Sequence, residues 1–295
     1  MNAMKLREYM TAYVFLTPWF IGLFVFSLFP IAASLYLSFT SYDMLNPPVW
    51  SGLENYHDIF TDKRFFGSLK VTLTYVFLGV PFELSFALLL AIVLNLSLSK
   101  AVNVYRGVYY IPSLIGGSVS VSLLWRQIFG SDGIINSLLG FFGVAGTSWI
   151  ANPKTALITI VILKVWQFGS PMVIFLAGLK QIPKELYEAA AIDGAGRRQS
   201  FFRVTLPLLT PVILFNLIMQ LIGSFQAFTP AYIISGGSGG PVNSTLFYTL
   251  YLYQQGFQNY QMGVASAMAW ILLLLIAFFS AIAFWTSRRW VHYME

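Results

Sequence analysis

The chain has 295 residues, 57% hydrophobic and 9% charged, with a formal net charge of +6 and a mean hydropathy of +0.72. A soluble domain carries about a quarter charged residues, so 17 Lys+Arg and 11 Asp+Glu are too few to cover a water-facing surface of this size. Long apolar blocks exclude disorder, the absence of cysteine excludes disulfides and thiolate metal sites, and His57 and His292 lie too far apart in sequence to suggest a metal centre.

A hydrocarbon core about 30 Å thick is crossed by roughly 20 apolar residues in a helix. Six stretches reach that length: about 12–40, 71–97, 106–125, 155–179, 208–234 and 262–286. Backbone polar groups cannot be left unpaired in lipid, so each is predicted to be a helix. Barrel strands would be shorter and would alternate strictly, which these do not. The first stretch follows Lys5 and Arg7 but is too long for a signal-peptide core and is closed by no small-residue cleavage site, so it reads as a retained helix. The expectation is an all-α membrane protein with six transmembrane helices in a single transmembrane domain, 1–295.

An even number of spans puts both termini on one side. The N-terminus, the connection around Lys100 and Arg106, the 180–207 connection and the C-terminus together hold 11 basic and 5 acidic residues. The opposite face holds five of each, and Glu83 and Lys164 lie inside spans. The positive-inside rule therefore predicts cytoplasmic termini. This topology accounts for the basic pI without any nucleic-acid partner.

Between the spans, the outer segments 41–70 and 129–154 are mixed polar and aromatic, and small-residue rich, respectively. The outer turn Ser235-Gly236-Gly237-Ser238-Gly239-Gly240-Pro241 has too many glycines for regular structure and reads as a flexible loop.

The cytoplasmic connection 181–207 is the most distinctive segment. Pro183 suits the first turn of a helix, Glu185 and Glu188 sit near its positive end, Ala189-Ala190-Ala191 propagate it, and Asp193-Gly194 stops it. Leu186, Ala189, Ala190 and Asp193 recur at i, i+3, i+4 and i+7, giving one small face able to enter a groove on another protein. Leu206-Pro207 marks re-entry into the membrane. Taken alone, the segment also fits a solvated loop helix whose basic residues fix orientation.

The spacing Glu188-Ala189-Ala190, three residues, Gly194, nine residues, Val204, one residue, Leu206-Pro207 strongly resembles the cytoplasmic coupling loop of permease subunits in binding-protein-dependent ABC importers. The flanking Ile182-Pro183-Lys184-Glu185-Leu186-Tyr187 and Ala191-Ile192-Asp193-Gly194-Ala195 are similar to the carbohydrate-uptake branch, and the resemblance extends over nearly the whole chain, including Ser235-Gly236-Gly237 and Met262-Gly263-Val264-Ala265-Ser266-Ala267 at the last span. Val204 replaces the family's usual Ile.

The resemblance implies the type I ABC importer permease fold in a bacterial or archaeal cytoplasmic (inner) membrane. It also implies an assembly with a second, similar permease subunit, two ATPase subunits and an extracytoplasmic solute-binding protein. In that family the short helix docks in a cleft on the ATPase: Glu188 would pair with a basic group there, the alanines would allow the close fit, and Gly194 would permit the turn. No G-x-x-x-x-G-K-[ST] loop is present, so ATP and Mg would be bound by the partner ATPase and no cofactor by this chain.

Within the membrane, Glu83 and Lys164 are predicted at similar depth. They read as a neutralising ion pair in preference to a proton relay or a substrate contact. Sugars are held by aromatic faces and by amide or hydroxyl groups, which Trp166, Gln167, Asn216, Gln220, Gln226 and Tyr232 supply as a set. Each singly also fits interhelical packing. No constellation of nucleophile, paired carboxylates or metal ligands points to catalysis. The expected function is the permease subunit of an ATP-driven sugar or oligosaccharide importer. The alternative is a proton-coupled secondary transporter using Glu83, for which no repeated halves are evident.

Overall fold

The computed structural model describes residues 3–96 and 102–292. Ser97, the last residue of the second expected span, lies outside the described residues, as do Lys100 and Glu295. The chain divides into two compact units: residues up to Asp62 with Leu252–Ile271, and Lys63–Tyr251 with the chain from Leu272 onward.

In the first unit, α1 (Ala3–Leu23) passes through a π-helical turn (Phe24–Leu28) into α2 (Phe29–Ser38). Met10–Ser38 is long and apolar enough to cross a membrane, and Phe15, Trp19, Phe26 and Phe29 all lie exposed along it. The two-residue strands β1 (Thr40–Ser41) and β2 (Val49–Trp50) pair antiparallel, Thr40 opposite Trp50. The helix α3 (Glu54–Thr61) follows. Asn55 ties this lobe together by donating to the carbonyls of Ser38 and Thr40, both at 2.9 Å. Gly263 donates to the Tyr42 carbonyl at 3.1 Å, so close to β1 that a Cβ there would strike the Thr40 carbonyl oxygen. At the tip of the hairpin, hydrogen bonds from the Asn46 backbone, the Asn46 side chain and the Leu45 backbone hold the Asp43 carboxyl below its ordinary value.

The second unit is built on α4 (Lys63–Leu96), whose 34 residues give about 50 Å of helix, well beyond the hydrocarbon thickness. After it come α5 (Val102–Ile115), α6 (Val119–Ile128), α7 (Ile134–Phe141), α8 (Ala156–Trp166) and α9 (Gly169–Gln181). The chain continues as α10 (Lys184–Ile192), α11 (Arg197–Ser200), a π-helical turn (Phe201–Thr205), α12 (Leu206–Phe225) and α13 (Thr229–Ile234). The last elements of the chain are α14 (Tyr248–Tyr253), a π-helical turn (Gln254–Gln258) and α15 (Met262–Ser287), of which Leu252–Ile271 belongs to the first unit. Helices α8, α9 and α12 pack around α4 and bury Val76, Val80, Ala87 and Ala91 against Ile160, Met172, Phe175 and Leu209. Small residues on α4 let the neighbouring backbones approach, as membrane interiors require.

Four helices have the length and hydropathy of a membrane span: Met10–Ser38, Lys63–Leu96, Arg197–Phe225 and Met262–Ser287. The expected spans at 106–125 and 155–179 are instead bent pairs. Helices α5 and α6 meet at 97°, and α8 and α9 meet at 40°.

The first break has a local cause: the chain leaves α5 through Gly116-Gly117, and the Ser118 hydroxyl caps α6 by accepting from the Val121 N–H at 3.3 Å. The second lies at Gln167-Phe168, and α12 runs unbroken past Pro211. The two breaks face each other. Ser113 donates to the Gln167 carbonyl at 2.6 Å and accepts from the Ser170 N–H at 2.8 Å, and Gly116 leaves room for the Gln167 side chain.

The expected span at 208–234 has other bounds: one helix runs from Arg197 through Leu206-Pro207 to Phe225, and Thr229–Ile234 is a separate short helix. The 235–241 segment forms no helix or strand, as expected, and is a hydrogen-bonded turn: Gly237 donates to the Tyr232 carbonyl at 2.7 Å and Gly239 to the Ser235 hydroxyl at 3.1 Å. Its glycines serve positive φ at Gly236, Gly237 and Gly239.

Candidate functional site

The helix α10 carries the motif residues on a largely exposed surface. Glu188, Ala189 and Asp193 are exposed and Ala190 is half-buried. Pro183 stands just outside the helix as its cap rather than in its first turn. At the other end, Ala195 donates to the Ala190 carbonyl at 2.8 Å and Gly194 to the Ala191 carbonyl at 3.0 Å. These two bonds form a Schellman motif, whose C′ residue must take positive φ, and Gly194 does so at +76°. Behind the helix, the Tyr187 hydroxyl contacts the Thr205 hydroxyl at 2.9 Å, with Thr205 buried at the foot of the Arg197–Phe225 helix. The short helix is therefore fixed at its end by backbone bonds and at its middle by a side-chain contact to a membrane helix.

One residue of this surface escapes a pattern reading. Ile192 is 87% exposed, and Leu186 is 39% exposed. Ile192 falls outside the i, i+3, i+4, i+7 series that singles out Leu186.

The intramembrane charges are brought together. The Lys164 ammonium lies 2.7 Å from the Glu83 carboxylate, both almost wholly buried, and also donates to the Gln220 side-chain carbonyl at 3.0 Å. Helices α4, α8 and α12 are thereby joined at one point. Gly79, one turn before Glu83, makes this possible, because a Cβ there would stand 2.9 Å from Lys164 Cδ. Asn216, one turn from Gln220 on the same helix, is 1% exposed, and its amide nitrogen has no hydrogen-bond partner among the described residues. An unfilled buried donor one turn from Gln220 is a polar position with spare bonding capacity.

The other expected pathway residues divide into separate groups. Gln167 lines the facing helix breaks, and Trp166 stacks obliquely on Trp125 at 5.7 Å, whose indole N–H donates to the Thr159 carbonyl at 2.8 Å. Gln226 is the exposed C-cap of α12. Tyr232 stacks on Phe228 at 5.3 Å on α13, which packs against α6. The described contacts join Glu83, Lys164 and Gln220, whereas Trp166, Gln226 and Tyr232 meet other neighbours. No group of three or more His, Asp or Glu side chains able to hold a metal occurs among the described residues.

Apolar exposed helices around a charged and amide-bearing interior, with broken helices facing each other, are the build of a membrane transport component. The family described as binding-protein-dependent transport system inner membrane component matches residues 60–292, and the chain belongs to this family.

It is 53% identical over 289 residues to the probable ABC transporter permease protein YesP of Bacillus subtilis (strain 168), covering 97% of this chain and 93% of that protein. It is 32% identical to the lactose transport system permease protein LacF of Rhizobium radiobacter, covering 97% of each. It is 35% identical to the arabinooligosaccharides transport system permease protein AraP of Bacillus subtilis (strain 168), covering 92% of this chain and 86% of that protein. A crystal structure of a bacterial alginate ABC transporter, in complex with alginate pentasaccharide-bound periplasmic protein, contains a chain of the same fold. That match has a TM-score of 0.85 at 22% identity and covers 99% of both chains.

Proposed function

We propose that this chain is a permease subunit of an ATP-driven sugar or oligosaccharide importer, forming half of the pathway. Six transmembrane helices result when each bent pair counts as one span, with both termini cytoplasmic by the charge asymmetry. The relatives named for lactose and arabinooligosaccharides support a carbohydrate cargo. The observation that carries the proposal is α10, an exposed helix with the coupling motif, stopped by a Schellman turn and held to a membrane helix through Tyr187 and Thr205.

In this reading Glu188, Ala189, Ala190, Asp193 and Gly194 meet a separate ATPase, which binds ATP and Mg, and Ile192 adds an apolar contact. A second, similar permease completes the pathway, a second ATPase completes the motor, and an extracytoplasmic solute-binding protein delivers the sugar. A rigid helix anchored at its middle turns ATPase closure into rotation of the span that follows it. The engagement of Glu83 by Lys164 weighs against a proton-coupled carrier, because a paired carboxylate is a poor proton shuttle.

The test is ATP hydrolysis by the reconstituted assembly across a panel of sugar-loaded binding proteins. Stimulation by one loaded binding protein is expected. Uptake by the purified chain alone, driven by a pH gradient, would overturn the proposal.

A further inference from the structure

A groove of about 820 Å³ opens between the end of α4 and the α10–α11 turn. Its apolar wall is formed by Ile92 and Leu96 on α4, Leu179 on α9 and Phe201 on the π-helical turn, and its rim carries Arg197 and Arg198. Leu96 is 73% exposed, and both arginines are exposed. Apolar wall and paired guanidinium rim together match one amphipathic occupant, with an anionic head and a hydrocarbon tail.

We propose that this groove binds an anionic phospholipid of the cytoplasmic leaflet, with the phosphate at Arg197 and Arg198 and an acyl chain along Ile92, Leu96 and Phe201. The sidedness rests on the topology proposed above. The depth agrees with it: α4 reaches its last described turns here, and the Arg197–Phe225 helix starts here, so the groove lies where hydrocarbon gives way to headgroups.

Basic pockets between helices at a cytoplasmic boundary attract anionic headgroups, and each guanidinium adds to the attraction. Arginine suits the task because its planar fork pairs with two phosphate oxygens at once. The groove also borders Tyr187 and Thr205, the contact that holds α10. A lipid seated here would brace the same joint from the membrane side.

The experiment uses the complete transporter with its ATPases, delipidated and placed in phosphatidylcholine nanodiscs. Phosphatidylglycerol is added, and bound lipid is read by native mass spectrometry. Retention of phosphatidylglycerol over phosphatidylcholine is expected, weakened about thirtyfold in the Arg197→Gln/Arg198→Gln variant. Leu96→Glu, which leaves both arginines in place, is expected to lose the lipid as well.

Equal retention by wild type and both variants would overturn the proposal. So would displacement of the lipid by millimolar inorganic phosphate, which would mark a simple anion site. A photo-crosslinker at Leu96 that captures an ATPase in place of lipid would overturn it too. Co-purification of the ATPase, scored in the same samples, separates this result from the importer reading: lipid bound without ATPase would sink the importer and leave the lipid site standing.

Discussion

Lys164 Cδ lies 2.9 Å from the point where a Cβ on Gly79 would stand, so the lysine reaches Glu83 only because position 79 has no side chain. The stem cannot swing aside freely, since its tip is held by Glu83 and Gln220. Gly79→Leu is expected to displace the ammonium and destabilise the chain by about 3 kcal/mol, approaching the effect of removing one member of a buried pair. Gly79→Ala is expected to cost about 1 kcal/mol, because the neighbour has only a few tenths of an ångström to give. Thermal unfolding of both variants in one detergent checks the ranking.

The same pair predicts a non-additive cycle. Removing one charge leaves the other buried and unpaired, which costs about 3–5 kcal/mol. Glu83→Gln and Lys164→Met are each expected to lower yield and melting temperature, and the double variant to recover part of the loss. Equal stability of the three variants would show that the contact contributes nothing to assembly.

At the Schellman turn, Gly194 has nothing within 4 Å of an added Cβ, so a substitution there meets backbone strain and no clash. Gly194→Ala is expected to cost about 1–2 kcal/mol. Gly194→Asn is expected to cost less, since asparagine tolerates the left-handed region. Gly194→Pro removes the N–H that bonds Ala191 and is expected to abolish uptake. Uptake assays in this order, with expression matched, test the assignment.

Tyr187→Phe keeps the ring and removes the hydroxyl contact with Thr205. A loss of about 1 kcal/mol at this joint is expected. Its signature is a severalfold drop in stimulation by loaded binding protein with basal ATP hydrolysis unchanged, measured in vesicles.

Much of this arrangement was legible in the sequence. Twenty apolar residues declare a lipid-compatible helix, and a lone carboxylate and a lone ammonium at similar depth declare each other. The helix stop at Asp193-Gly194 was readable from capping chemistry. The break at Gly116-Gly117-Ser118 carried a signal, a glycine exit followed by an N-cap serine, but an apolar scan runs straight through it. The start at Arg197 was hidden because a hydropathy scan finds the lipid-facing part of a helix and not its charged first turns. Gly79 carried no distinguishing mark, and Gln220 stood out only as a pathway amide and not as a partner of Lys164, since glycines and amides in membrane helices serve many packing roles. The order of the 235–241 turn was hidden because glycine runs describe positive φ and slack chain equally well.

The hairpin that carries Asp43 gives a pH prediction. Asp43 has its folded value depressed by Asn46 and Leu45, so its support of the hairpin is present above the ordinary aspartate range. It is lost as pH falls through the depressed value. Asp43→Asn is expected to flatten this dependence, as followed by the tryptophan fluorescence of Trp50, with a Trp19→Phe background to simplify the signal.

The coupling of α10 to a nucleotide-hydrolysing subunit is tested most directly by a single thiol. The chain contains no cysteine, so Ala189→Cys places the only one on the motif face. With a thiol-to-amine crosslinker, the account predicts a covalent product with the ATPase whose yield changes on addition of ATP. Uptake that persists while Ala189→Cys never captures that subunit, at matched expression and in either nucleotide state, would contradict it.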